Sequence, residues 1–234
     1  MKGKLIDINF DFQAEAGDRR DPDKYSPTLQ EYHRILWSKP LPNGNIFTLV
    51  KISANGLYHK SELGEFFLSS DRAIATFSRR KRSEHIISQV PKVEIENFYR
   101  LTDTIGGIVM WPSNKIDKKM TINGERGFNR KISDRFDLTV ECIRRYYRGE
   151  YCPLYETFKR YSDFFSLFDD FKGYIDFFLL QDIVSDDYSS VKMAMSFDNF
   201  TTSPIPSCLE EYLIYKDNTT KFVEARNARI ARLY

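Results

Sequence analysis

Residues 5–12, LIDINFDF, alternate strictly: Ile6, Ile8, Phe10 and Phe12 fall on one side, Asp7, Asn9 and Asp11 on the other. A period of two predicts a half-buried strand. The polar stretch QAEAGDRRDPDKYSP follows as a loop rich in turn formers. SPTLQEYHRILWSK then reads as a helix: Ser26 or Thr28 caps it, Pro27 suits the first turn, and Thr28 with Glu31 fits a capping box. Its inner stripe is Leu29, His33 or Tyr32, and Leu36. Pro40 and Pro42 end it, and Asn43-Gly44 predicts a turn.

Four short apolar runs come next: NIFTLVKIS, LYHKS, GEFFLSS and AIATFS. The turn formers between them predict a meander of antiparallel strands. IGGIVMWP (105–112) predicts another strand, with Gly106 and Gly107 permitting a bulge or a close backbone approach.

From about residue 132 the period becomes helical. Ile132, Phe136, Val140, Ile143 and Tyr147 form one stripe; Leu154, Phe158, Tyr161, Phe165 and Phe168 a second; Phe171, Ile175 and Phe178 a third. VKMAMSF (191–197) returns to strand alternation. Two helices are expected to close the chain, the first with Ser207 and Glu210 as a capping box, the second capped by Thr219 or Thr220. The expected class is α+β: a mostly antiparallel sheet from the N-terminal half, packed by helices from the C-terminal half. We expect one domain over 1–234, β-rich over 1–120 and helix-rich over 121–234, with two lobes as the alternative.

Composition adds compartment. Hydrophobic residues make up 41% and charged residues 29% of 234, and 19 Phe with 14 Tyr supply apolar area for a sizeable core. A net charge of +2 does not by itself imply nucleic acid or membrane. Three cysteines (Cys142, Cys152, Cys208) without a CxxC favour reduced thiols. No run resembles a signal peptide or a spanning helix, so a cytoplasmic protein without a membrane partner is expected. His33, His59 and His85 are scattered and no Cys/His cluster exists, so no metal site is expected.

Charge is concentrated over 121–150. From Arg126 to Arg148, the basic residues Arg126, Arg130, Lys131, Arg135, Arg144, Arg145 and Arg148 stand against Asp134, Asp137 and Glu141. Arg144 and Arg145 have Glu141 at helical spacing, and Asp134 and Asp137 lie near the expected helix start, which favours structural pairing there. Arg126 has no acidic residue three or four positions on, and Arg130, four before Asp134, lies ahead of the expected helix start. They sit in the glycine-containing stretch TINGERGFNRK, where backbone N–H groups and arginines can clamp an anion. Trp111 precedes that stretch and can stack on a base or anchor the core. Asn123 and Asn129 add polar contacts. FSRRKRSEH (77–85) is a second basic segment, either a phosphate contact or a solvated turn between strands. Arg226, Arg229 and Arg232 read as charge that suits a helix C-terminus.

Two enzyme patterns are weaker. Asp170-Phe171-Lys172 matches a nuclease-like triplet that chance readily produces. His59, Ser61 and Phe66 or Phe67 superficially resemble the nicotinamide site of ADP-ribosyltransferases, at too short a spacing.

TLQEYHRILWSKPLPNG, SELGEFFLSSD, RGFNRKISDRFDLTVECIRRYY and GYIDFFLLQDIV together are similar to a family of uncharacterised bacterial and phage proteins, over most of the chain. That resemblance implies lineage and assigns no activity, cofactor or catalytic residue. The residues favour a binder of a phosphate-containing ligand, nucleotide or nucleic acid, through Arg126, Arg130, Trp111, Asn123 and Asn129. The alternatives are an oligomeric interaction module, with Phe164, Phe165 and Phe177 at a homo-oligomer interface, and a phage–host conflict enzyme of nuclease or ADP-ribosyltransferase type.

Overall fold

The computed structural model describes residues 6–53, 56–78 and 80–234. The expected N-terminal strand is absent from its described part. Asp7 Oδ1 accepts from the Asn9 N–H at 2.9 Å, and Asp11 caps a short helix, α1 (Phe12–Ala16), by accepting from the Ala14 N–H at 2.8 Å. The Asp and Asn residues read as a polar strand face instead bond their own backbone, which opposes a ladder. Ile6 and Phe12 are buried all the same.

The predicted loop holds α1 and α2 (Pro22–Tyr25). In α3 (Pro27–Trp37) Ser26 is the cap, accepting from Leu29 at 3.1 Å. Glu15 of α1, rather than Glu31, receives the Thr28 hydroxyl at 2.8 Å. The Asn43-Gly44 turn joins β1 (Lys39–Pro40) to β2 (Ile46–Phe47), with Gly44 at φ +83°.

β3 (Val50–Ser53), β4 (Gly56–Ser61), β5 (Gly64–Arg72) and β6 (Ile108–Pro112) form an antiparallel sheet in that order. AIATFS (73–78) is not a strand: β5 ends at Arg72, and the Ala75 N–H donates to the Tyr215 hydroxyl at 2.8 Å. The segment 77–85 is not a turn between strands. Its described part leads into α4 (Lys81–Ile87), followed by α5 (Lys92–Thr102); Arg79 lies outside the described residues.

Strand periodicity divides the sheet's chemistry. Phe66 and Ser70 share one face, where Phe66 packs on Phe164 at 5.7 Å and Ser70 Oγ meets His33 at 3.0 Å. Asp71 and, across the ladder, Trp111 belong to the other face. That face is covered by α6 (Ile122–Phe128) and α7 (Phe136–Tyr147), through Arg126 on Asp71 and Phe136 on Trp111 at 6.5 Å.

The second stripe is divided between α8 (Tyr155–Arg160) and α9 (Ser162–Ser166), and the third forms α10 (Phe171–Phe177). Phe164, Phe165 and Phe177, the aromatics set aside for an interface, are all buried in a cluster with Phe168, Tyr174 and Phe178. VKMAMSF is not a strand; Val191 makes an isolated bridge to Val184.

One helix, α11 (Leu209–Leu233), replaces the two expected at the end. Thr219 lies inside it, its hydroxyl donating to the Tyr215 carbonyl at 2.7 Å, so it terminates nothing. The Ser207 N–H and hydroxyl both bond Glu211 rather than Glu210. Gly106 is the close approach its sequence allowed: a Cβ there would lie 2.5 Å from Asn227 Oδ1 and 2.6 Å from the Val223 carbonyl of α11.

Candidate functional site: the cleft beside residues 126–134

The stretch expected as an anion-binding loop is largely the seven-residue helix α6, capped by Thr121. Its geometry turns Arg126 inward. The guanidinium is wholly buried and donates to Thr139 Oγ1 at 3.0 Å, to the Asp134 carbonyl at 3.1 Å and to the Asp71 carboxylate. Its centre lies 5.6 Å from the Trp111 ring and 5.9 Å from the Phe136 ring. Trp111 is likewise wholly buried. The structure therefore brings Arg126 and Trp111 together, but inside the protein.

The other three candidates lie apart. Asn123 Nδ2 donates to the Ser70 carbonyl at 3.2 Å and Asn129 Nδ2 to the Pro153 carbonyl at 3.2 Å. Arg130 is exposed. The remaining arginines follow local logic: Arg144 is bidentate on Glu141, at 2.8 Å for each bond, and Arg145 reaches the same carboxylate at 2.7 Å. Arg135 is buried against Asp137 at 2.5 Å.

Above Arg126 lies a cleft of about 720 Å³. Phe77, Ser78 and Arg80 of the second basic segment line one part; Gly127, Phe128, Ser133 and Asp134 line another. Arg72 and Tyr99 also face it. Arg72 donates from Nε and Nη2 to Asp103 at 2.8 and 2.7 Å and is thereby neutralised. Burial raises the Asp71 carboxyl above the ordinary carboxylate value; Arg126 opposes this and Asp134 adds to it.

Two charged groups in the cleft remain without an ion pair among the described residues: Arg80 and the Asp134 carboxylate. Ser133 and Asp134 are held at φ +49° and +66°, sparsely populated for residues other than glycine. Gly127 makes room for this turn: a Cβ there would lie 3.3 Å from Asp134 Oδ1. Phe128 is 78% exposed at the rim.

A second polar constellation joins residues that are mostly distant in sequence. Trp37 Nε1–H donates to His33 Nδ1 at 3.0 Å, and His33 Nε2 lies 3.0 Å from Ser70 Oγ. The Ser70 hydroxyl donates to Asp23, and its N–H donates to the same carboxylate at 2.7 Å. Because indole only donates, a neutral His33 carries its proton on Nε2 and gives that bond to Ser70. Burial and Arg226 hold His33 down at about 3, so the ring is neutral. Histidine is thus a donor here and cannot act as the base for Ser70. Burial pushes the Asp23 carboxyl up to about 6, against the two bonds from Ser70. The adjoining cavity is about 10 Å³, the room of a single water.

His59 is enclosed as well, stacked on Phe47 at 4.0 Å with Nδ1 bonded to the Thr48 carbonyl at 3.1 Å. Asp170 caps α10 through the Gly173 N–H at 2.7 Å, and Lys172 pairs with Asp176 at 2.5 Å. The nuclease-like triplet is thus a helix cap and a surface pair. Among the described residues no group of three or more His, Cys, Asp or Glu side chains is arranged to hold a metal ion. No helix among them is long and apolar enough to cross a membrane.

Comparison with protein families gives a match over residues 6–230 to a family of unknown function, DUF6994. No curated protein matches the chain, and no solved structure does.

Proposed function

The chain belongs to that family of unknown function, and from the cleft's own chemistry we propose that it binds a nucleotide beside residues 126–134. What supports this reading is the meeting, in one cleft, of the two basic segments, with an arginine and a carboxylate that lack ion pairs. Arg80 takes the phosphate as a charge-assisted donor. Asp134 accepts from sugar hydroxyls, and Tyr99 and Phe128 offer ring faces to the base. Arg130, two residues beyond Phe128, supplies an outer phosphate contact. Arg126 and Trp111 act from beneath: they fix Asp71 and the 133–134 turn, and do not touch the ligand.

The test is a thermal-shift panel with inorganic phosphate, nucleoside mono- and triphosphates, and a single-stranded oligonucleotide at low salt. A nucleotide at a hundred times its Kd stabilises the fold by about 2.7 kcal/mol. A shift with nucleotides and none with the oligonucleotide is expected. A shift with the oligonucleotide alone moves the reading to nucleic acid. No shift with any of them ends it.

A further inference from the structure

Lys39 lies in a separate cleft of about 540 Å³, beside Pro42, Phe168, Asp169, Asp170 and Lys172. Its Nζ is 5.1 Å from the Trp37 ring and 4.8 Å from the Phe177 ring. No carboxylate among the described residues forms an ion pair with it. Asp176 is the acidic group acting on it, but that carboxylate already accepts from Lys172 at 2.5 Å, Tyr188 at 2.7 Å and Gln181 at 2.9 Å. The buried Arg226 guanidinium lies 5.8 Å from the same Trp37 ring, so two cations share one indole.

Partial desolvation beside a second cation is the arrangement that activates a lysine as a nucleophile. We propose that Lys39 captures an uncharged aldehyde or ketone as an imine in this cleft. The Nζ lone pair adds to the carbonyl carbon. The carbonyl oxygen takes up a proton to give a carbinolamine, and its hydroxyl then leaves, with the amine's remaining proton, as water. Neither oxidant nor reductant is needed. The carboxylates of Asp169, Asp170 and Asp176 disfavour an anionic carbonyl compound. Burial, with Arg226 adding and Asp176 opposing, lowers Lys39 to about 8, whereas the bond to Asp176 raises Lys172 in the same cleft. The two lysines therefore form an internal control.

The experiment uses the wild-type chain with propanal and cyanoborohydride, which reduces an imine to a stable propylamine, followed by peptide mapping. Near neutral pH the larger free-amine fraction of Lys39 makes it react at least about tenfold faster than Lys172. Its rate levels off above about pH 8, and its lead vanishes in urea. Equal rates for the two lysines in the folded protein would overturn the proposal. So would a Lys39 rate that keeps climbing beyond pH 10 as an ordinary lysine's does. Glyoxylate, an anionic aldehyde, gains no such preference over its own rate in urea; if it gains more than propanal, the uncharged substrate class is wrong.

Discussion

Arg126 and Arg226 are both wholly buried, yet their charges are answered in different ways. Arg126, in α6, is matched by the side chain of Asp71, supported by Thr139 and one carbonyl. Arg226, in α11, hydrogen-bonds only to backbone: it donates to the carbonyls of Gly106 at 3.0 Å, Ile108 at 2.7 Å and Phe178 at 3.0 Å. Burial brings Arg226 down to about 10, still cationic at neutral pH. A charge held by a side chain can be removed together with its partner. A charge held by carbonyls has no such counterpart, because backbone acceptors cannot be substituted away. Arg226 thus ties α11 to the start of β6 and the end of α10, while Arg126 ties α6 to the β5 edge of the cleft.

That contrast orders the expected losses. Arg226→Met strands three buried carbonyls and costs on the order of 4 kcal/mol in urea unfolding. Adding Asp182→Asn, which removes the carboxylate that acts on Arg226, recovers almost none of it. A loss below about 1 kcal/mol would make Arg226 a passenger rather than a cross-link. Arg126→Met costs about 3 kcal/mol, because it leaves Asp71, whose side chain is 30% exposed, without its partner. Here the double variant with Asp71→Asn recovers at least about 1 kcal/mol. Strict additivity would mean that the two buried arginines are alike after all.

The smallest effect depends on pH. Asp23 is raised to about 6 in the fold. A raised carboxyl contributes stability below its unfolded value and loses it as pH rises through the folded one. Between about pH 4 and pH 7, wild-type stability therefore falls relative to Asp23→Asn by about 2 kcal/mol. Urea midpoints of the two proteins across that range measure it, and a constant difference would show that Ser70 holds the carboxylate charged throughout.

Legibility in the sequence followed the distance between partners. Glu141 lies three and four residues from Arg144 and Arg145, and spacing alone revealed that triad. Arg126 was expected to be free because no acid followed at helical spacing; its partner Asp71 is 55 residues away across the sheet. The α3 stripe, the Asn43-Gly44 turn and the β4–β5 pairing were legible because each is set by neighbours. The Asp-rich start misled for the opposite reason: side chains that bond their own backbone leave the same alternation as a strand. The cleft joins segments nearly fifty residues apart, and no local pattern encodes that. The Trp37–His33–Ser70–Asp23 chain shows in sequence only as His33 and Trp37 four residues apart.

On the proposed reading, Arg126 holds the fold while Arg80, with Arg130 as an outer contact, meets the ligand. Calorimetric titration of Arg80→Ala with the nucleotide that most stabilises the wild type, alongside its urea midpoint, tests this most directly. The affinity is expected to fall at least about tenfold, or 1.4 kcal/mol, with the midpoint unchanged. Wild-type affinity in Arg80→Ala would contradict that reading.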